Sequence, residues 1–240
     1  MNNSIQTISL INLMIAFIPV VIILIIIFKW SLNFKNSIYA VARMLIQLLL
    51  VGYYLNFIFD SDSSLIVLMI LILMVFFSSW IALGTIKAKR LTLFKYVILS
   101  IIIGGGTTLV IITQGVLGLT PWYWPQYVIP IAGMIFANSM NSVSLAAERL
   151  NAEIERNVSY DSARKIALQA SLIPIINSLF AVGLVSIPGM MTGQIFSGIS
   201  PLIAARYQIM VMCMIFGSAG ISSACFLTFA RVSFDTIKED

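Results

Sequence analysis

No histidine occurs anywhere in the 240 residues. That absence removes the commonest metal ligand and the commonest general base. Cysteine is nearly absent too. Cys213 and Cys225 fall in one apolar run; on a helix they stand about 18 Å apart, too far for a disulfide within it. They read as small apolar filler. Charged residues make up only 10% of the chain, with 9 acids against 14 bases. There is no G-x-x-x-x-G-K-[ST] phosphate loop, no H-E-x-x-H, and no Ser or Cys beside a usable base. The chain is therefore not read as an enzyme and binds no cofactor of its own. If ATP drives it, a separate subunit must supply the ATPase. Met1 to Leu10 holds no Lys or Arg, so the positive n-region of a secretory signal is missing and the first apolar run reads as a retained span.

What is present is apolar length. Hydrophobic residues reach 60%, above the roughly 45–50% of soluble domains, and several runs approach the ~20 residues that cross a bilayer. The expectation is an all-α polytopic bundle, one integral membrane domain over residues 1–240. Seven spans are predicted: Ile8 to Phe28, Ile38 to Phe59, Leu65 to Leu83, Tyr96 to Val116, Val128 to about Leu145, Ile166 to Val185, and Pro201 to about Ala230. The net charge of +5 is not a nucleic-acid signal, because basic residues of membrane proteins collect in cytoplasmic loops. Lys29 and Lys35 follow span one. Lys87, Lys89, Arg90 and Lys95 follow span three. Arg149, Arg156, Arg164 and Lys165 follow span five, and Arg231 and Lys238 follow span seven. The loops after spans two, four and six hold none unless Arg206 is counted. The N-terminus is thus expected outside and the C-terminus in the cytoplasm.

The chain is organised around Pro174 to Pro201. An apolar helix is predicted to break at Ser186-Ile187-Pro188-Gly189, to run uncharged through Met190, Met191, Thr192, Gly193 and Gln194, and to restart at Pro201. Proline cannot donate a helix hydrogen bond, and glycine takes conformations other residues avoid. The segment reads either as re-entrant or pore-lining backbone, or as an external hairpin between two spans. Other polar residues fall within apolar runs. Arg43 has Gln47 one turn on, and either shares a buried site with it or snorkels to the interface. Asn138, Asn141 and Ser142 share a helix face, as a path lining or as interhelical glue; Asn177 is similar. Gly104-Gly105-Gly106 suits close helix approach. Methionine is plentiful, with Met190 and Met191 at the break and Met210, Met212 and Met214 in span seven; its thioether serves soft-metal ligation, as of Cu(I), or ordinary packing, and no metal site is assigned.

Between spans five and six, at about residues 146–165, lies a polar segment. Leu150, Ile154 and Val158 recur every four residues, with Glu148, Arg149, Glu153, Glu155 and Arg156 on other faces. A helix, a turn over residues 157–161 and a second helix N-capped by Asp161 are expected. The stripe could enter a groove on a soluble partner or lie on lipid.

Four stretches resemble one family closely. They are Asn138-Ser-Met-Asn-Ser-Val-Ser-Leu-Ala, Ile173-Pro-Ile-Ile-Asn-Ser, Val182-Gly-Leu-Val-Ser-Ile-Pro-Gly-Met-Met-Thr-Gly-Gln-Ile and Ala204-Ala-Arg-Tyr-Gln-Ile. The family is the FetB/YbbM-type permeases, which includes the plant aluminium-sensitivity permeases. The stretch Ala42-Arg-Met-Leu-Ile-Gln is similar to the family's second helix. The resemblance implies the membrane subunit of an ABC transporter in the cell membrane, paired with a cytoplasmic ATPase similar to FetA, two copies of each. Its bacterial members are associated with iron export and its plant members with a half-transporter handling UDP-glucose. It implies that Glu148, Arg149, Leu150, Ile154, Val158, Asp161 and Arg164 belong to the ATPase-coupling region. Arg43, Gln47, Asn138, Asn141, Asn177 and the run Pro188, Gly189, Met190, Met191, Thr192, Gly193 and Gln194 would line the path. The chain departs from the family at Asn157-Val-Ser-Tyr-Asp-Ser-Ala-Arg-Lys, which is shorter and lacks a glycine turn. A non-transporting membrane interaction protein is the alternative.

Overall fold

A computed structural model of the chain describes residues 8–235; Lys238 lies outside them. The described residues form helices, with one isolated bridge between Val182 and Ser186 and no named strand. Six helical stretches are long and apolar enough to cross a membrane: Leu10–Lys29, Phe34–Leu55, Ser64–Ala82, Lys87–Val116, Pro125–Glu155 and Pro201–Phe229. The chain divides into two compact units, one ending at Ser61 and one beginning at Asp62.

In the first unit the predicted first span is two helices, α1 (Leu10–Ile15) and α2 (Ile18–Lys29). The interruption precedes Pro19, whose ring clashes with the carbonyl four residues back and which has no N–H to offer. Ser9 caps α1 through a 3.2 Å bond from the Asn12 N–H. A turn through Ser31, at φ 56, leads to α3 (Phe34–Phe59).

The second unit contains α4 (Ser64–Ala82), α5 (Arg90–Ile101), α6 (Thr107–Val110), α7 (Pro125–Glu155), α8 (Tyr160–Ala181), α9 (Gly189–Phe196), α10 (Pro201–Phe229) and α11 (Arg231–Asp235). The fourth predicted span is one helical rod from Lys87 to Val116, widened into π-helix at Ile102–Gly106 and Ile111–Val116. A π-turn closes its hydrogen bonds from i to i+5 and so widens the helix locally. Its neighbour here is α10. A Cβ on Gly104 would lie 2.5 Å from the Ser222 nitrogen and 2.9 Å from its Cα. Gly104 is therefore a close-packing residue against α10.

The core sits on α7. Val143, Ala146, Ala147 and Leu150 are fully buried. They meet Ala163, Ala167 and Ser171 of α8, spaced by four, and Ser218, Ala219, Ser222 and Phe226 of α10, all buried. Small residues at helix contacts let backbones approach and replace the hydrophobic drive that lipid does not supply. Tyr160 anchors the start of α8 by donating a 2.7 Å bond to the Leu227 carbonyl.

The predicted sixth span, Ile166 to Val185, is not among the six membrane-length stretches; the helix there, α8, opens on Asp161, Arg164 and Lys165 and carries Gln169. Two sequence-based boundaries are corrected. Asp161 is not the N-cap: Ser159 holds that place with extended backbone, and Asp161 lies in the first turn. The break after α8 comes earlier than Ser186, at Val182, and the run from Gly189 to Phe196 is itself helix.

Candidate functional site

Chain geometry at the break follows from its glycines and prolines. α8 ends at Ala181, and Gly183 takes φ 82, the left-handed region that Cβ-bearing residues avoid. Pro188, fixed near φ −62, is the N-cap of α9. The Thr192 hydroxyl closes the first turn by donating to the Pro188 carbonyl at 3.1 Å. Gly198, at φ 87, then turns the chain into α10, which Pro201 begins. Eight helical residues span only about 12 Å, so α9 cannot cross a bilayer. It folds back against α10.

That return builds a run of adjoining cavities in the second unit. The first, about 480 Å³, is walled by Tyr127, Met134, Met190, Gln194, Tyr207 and Met210 among others. The second, about 370 Å³, shares Met134 and Met190 with it and adds Asn138, Pro188, Gln208 and Met212. A third, about 470 Å³, shares Pro188, Gln208 and Met212 with the second and reaches Met191 and Cys213. A small recess of about 110 Å³ lies beyond Asn138, against Asn141 and Ser142. No charged side chain lines any of the four. Met190 and Gln194 stand four apart on α9 and so share a helix face. The Oε1 atoms of Gln194 and Gln208 are both buried without a hydrogen-bond partner. Gln208 is only 5% exposed. A buried amide oxygen left unpaired costs about 1–3 kcal/mol.

The polar face of α7 divides. Ser142 is glue: it donates to the Ser171 carbonyl at 3.2 Å and accepts from the Ser223 hydroxyl at 2.8 Å, joining α7, α8 and α10. Asn138 turns its amide N–H₂ back onto the Met134 carbonyl at 2.8 Å. Asn141 is exposed beside the recess. Asn177 is exposed and lines none of these cavities; Ser178, about 100° further round α8, does. Gly189, Thr192 and Gly193 lie in α9 away from the cavity walls. Arg43 and Gln47 belong to the first unit. With its amide oxygen turned toward Arg43, Gln47 accepts from Nε at 3.1 Å and from a terminal guanidinium nitrogen at 3.3 Å.

In the predicted coupling segment the expected helix, turn and second helix are present, but the first helix is continuous with span five, as the last turns of α7. Leu150 is fully buried, and Ile154 and Val158 are half-buried against the same core. The apolar stripe that could have met a soluble partner is covered by the protein itself. Asn157 takes φ 62. The Asn157 N–H reaches the Ile154 carbonyl at 3.0 Å, and the Val158 N–H reaches Glu153 at 3.1 Å. This is a Schellman ending, and asparagine supplies the left-handed residue usually given by glycine. Glu153, 5% exposed, pairs with Arg149 at 2.7 Å and Arg156 at 3.3 Å. Asp161 pairs with Arg164 at 3.2 Å and Arg231 at 3.7 Å. Lys89 donates to Asn151 at 2.8 Å and lies 4.6 Å from the Phe234 ring centroid. Four segments distant in sequence are thereby tied together beneath the turn. Glu148, Ser162 and Lys165 remain exposed on it.

Sequence reasoning missed Met134 and Tyr127 on the cavity walls, and Lys89, Asn151 and Phe234 under the turn. Met210 and Met212 carried their thioethers as a signal, and Tyr207 and Gln208 stand in the quoted stretch from Ala204, yet none of the four was assigned to the path. Among the described residues no group of three or more His, Cys, Asp or Glu could hold a metal.

The profile of "Uncharacterised protein family (UPF0014)" matches residues 10–160 and 156–234. The two pieces meet at the shortened turn. The UPF0014 membrane protein slr1647 of Synechocystis is 38% identical over 208 residues, 78% of this chain and 79% of the relative. The probable iron export permease protein FetB of Escherichia coli is 35% identical over 240 residues, 92% of this chain and 90% of the relative. The protein ALUMINUM SENSITIVE 3 of Arabidopsis thaliana is 34% identical over 223 residues, 85% and 80%. No solved structure matches.

Proposed function

The chain belongs to the UPF0014 family of membrane proteins, and from that premise we propose that it is the permease subunit of an ATP-driven iron exporter. Membrane permease is the coarser statement, and the relatives together with six apolar helices support it directly. The likeness to the E. coli relative over nearly the whole chain carries the finer one. In this reading two copies of the chain pair with two copies of a cytoplasmic ABC ATPase. The α7–α8 turn is the docking point, presenting Glu148, Ser162 and Lys165. Its tied underside passes motion from the turn to α10 and α11. ATP binding by the partner then rocks α7 and α10, which wall the cavities beside α9. α8, about 33 Å long, is the seventh crossing. The basic ends of α2, α5 and α7 face the cytoplasm, and the N-terminus faces outward. α9 is re-entrant.

The cavities offer thioether and amide groups but no imidazole or carboxylate, so iron would be held weakly or travel in complexed form. Two measurements test the reading. Purified protein should co-purify with an ABC ATPase of the same cell and stimulate its hydrolysis. Ser162→Trp, placed on exposed surface, should abolish both without lowering thermal stability. Cells lacking the protein should retain more radioactive iron than cells carrying it. Equal retention refutes the iron assignment, and absence of any ATPase partner refutes the ABC reading.

A further inference from the structure

Six sulfur-bearing side chains line the three larger cavities. The first is walled by Met134, Met190 and Met210. The second is walled by Met134, Met190 and Met212. The third is walled by Met191, Met212 and Cys213. Each cavity is thus lined by three sulfur-bearing side chains, and each neighbouring pair of cavities shares at least one of them. Each also has an amide oxygen without a partner on its wall: Gln194 in the first, Gln208 in the second and third. Thioethers and orphan amide oxygens are all electron-pair donors. No ammonium or guanidinium among the lining residues competes for them, and no carboxylate supplies negative charge.

This donor set specifies an occupant. An uncharged organic molecule with hydroxyl groups would satisfy the amide oxygens and leave the thioethers idle. A cation satisfies both. Divalent iron is disfavoured on two grounds: it prefers oxygen and imidazole over thioether, and the cost of removing an ion from water grows with the square of its charge, about fourfold from one charge to two. A soft monovalent ion suits three thioethers without a compensating acid. We infer that the cavity run is a transit site for soft monovalent cations, Cu(I) or Ag(I), passed between triads of sulfur with at least one ligand kept at each step. The flexible methionine side chains close around an ion far smaller than the cavities. This deepens the transport reading, on which it rests, and names a cargo class different from bare ferrous iron.

The test uses the full chain in detergent, without oxygen, with Cys213→Ser and Cys225→Ser; this removes thiol binding, takes one sulfur from the third cavity and leaves the methionines of the first two intact. Silver ion is the probe, measured by titration calorimetry. Parent protein should bind Ag(I). Met134→Leu with Met190→Leu, a nearly volume-conserving pair, should weaken binding by about tenfold or more while gel-filtration profile and thermal stability are kept. Met69→Leu, on the exposed face of α4, should leave binding unchanged. Excess Fe(II) should not displace Ag(I). The inference is overturned by no binding to the parent, by equal binding to the double variant, by equal loss in Met69→Leu, or by displacement with Fe(II). ATPase association is measured on the same preparations. Silver binding without any ATPase partner sinks the transport reading and leaves the site. ATPase stimulation with unchanged silver binding in the double variant sinks the site and leaves the transport reading.

Discussion

Three consecutive glycines in the rod between α5 and α6 should respond to alanine in three different ways. Gly104 lies against α10 backbone. Its new Cβ would meet the Ser222 nitrogen at 2.5 Å and Cα at 2.9 Å, and ordinary contact begins near 3.4 Å. Neither atom can rotate away, so the helices must separate by several tenths of an ångström to about 1 Å. Overpacking of this kind costs about 1–3 kcal/mol. Against it stands the gain of alanine over glycine within a helix, about 0.5–1 kcal/mol. The net is a destabilisation of about 1–2 kcal/mol, larger because Ser222 is buried and cannot retreat toward lipid. Gly106 has nothing within 4 Å of the same added atom. Gly106→Ala should therefore stabilise by about 0.5–1 kcal/mol. Gly105 faces the Phe136 ring, whose Cδ1 would lie 2.9 Å away; a side chain yields more easily than backbone, so Gly105→Ala should fall between. The assay is thermal or denaturant unfolding of the three single variants in one detergent. Gly104→Ala and Gly106→Ala are expected to differ by about 1.5–3 kcal/mol with opposite signs, the sum of those two effects. Equal effects at 104 and 106 would refute the claim that Gly104 is required for close contact with α10.

Two further outcomes follow from other contacts. Asn157, at φ 62, should accept glycine with little change, whereas Asn157→Val should cost about 1–2 kcal/mol and weaken ATPase stimulation; equal stability of the two variants would remove the Schellman ending from the argument. A double-mutant cycle on Ser142→Ala and Ser223→Ala, read by the same unfolding assay, should return a coupling near the ~0.6 kcal/mol typical of hydrogen bonds between membrane helices, and zero coupling would mean that Ser142 does not tie α7 to α10.

Apolar length and the placement of Lys and Arg were enough to give helices Phe34–Phe59, Ser64–Ala82 and Pro201–Phe229 within a few residues, because a bilayer-spanning helix needs a continuous apolar run and nothing more local. Pro188 and Gly189 marked the interruption for the same kind of reason: their effect on the backbone is intrinsic to the residue. Pro19 carried the same signal within the first apolar run. Proline was less decisive elsewhere: α7 and α8 continue through Pro130 and Pro174. The helix over Gly189–Phe196 was hidden because eight uncharged residues between glycines carry too little periodicity to separate helix from loop.

Which residues face which neighbour was decided by tertiary structure alone. Leu150, Ile154 and Val158 form an apolar stripe in any helix, yet only the packing of α8 and α10 says that the stripe meets the protein's own core. Asn177 and Ser178 are adjacent in sequence, and the rotation of α8 puts the second on a cavity wall and leaves the first outside. Met134, Met190 and Met212 come from three different helices and become neighbours only when α9 folds back between α7 and α10. Sequence by itself determined a helical membrane protein with one engineered-looking break, since those properties depend on each residue's own solubility and backbone. The cavities, their sulfurs and the bonds beneath the α7–α8 turn join residues tens of positions apart, and no local property of a chain encodes which distant side chain it will meet.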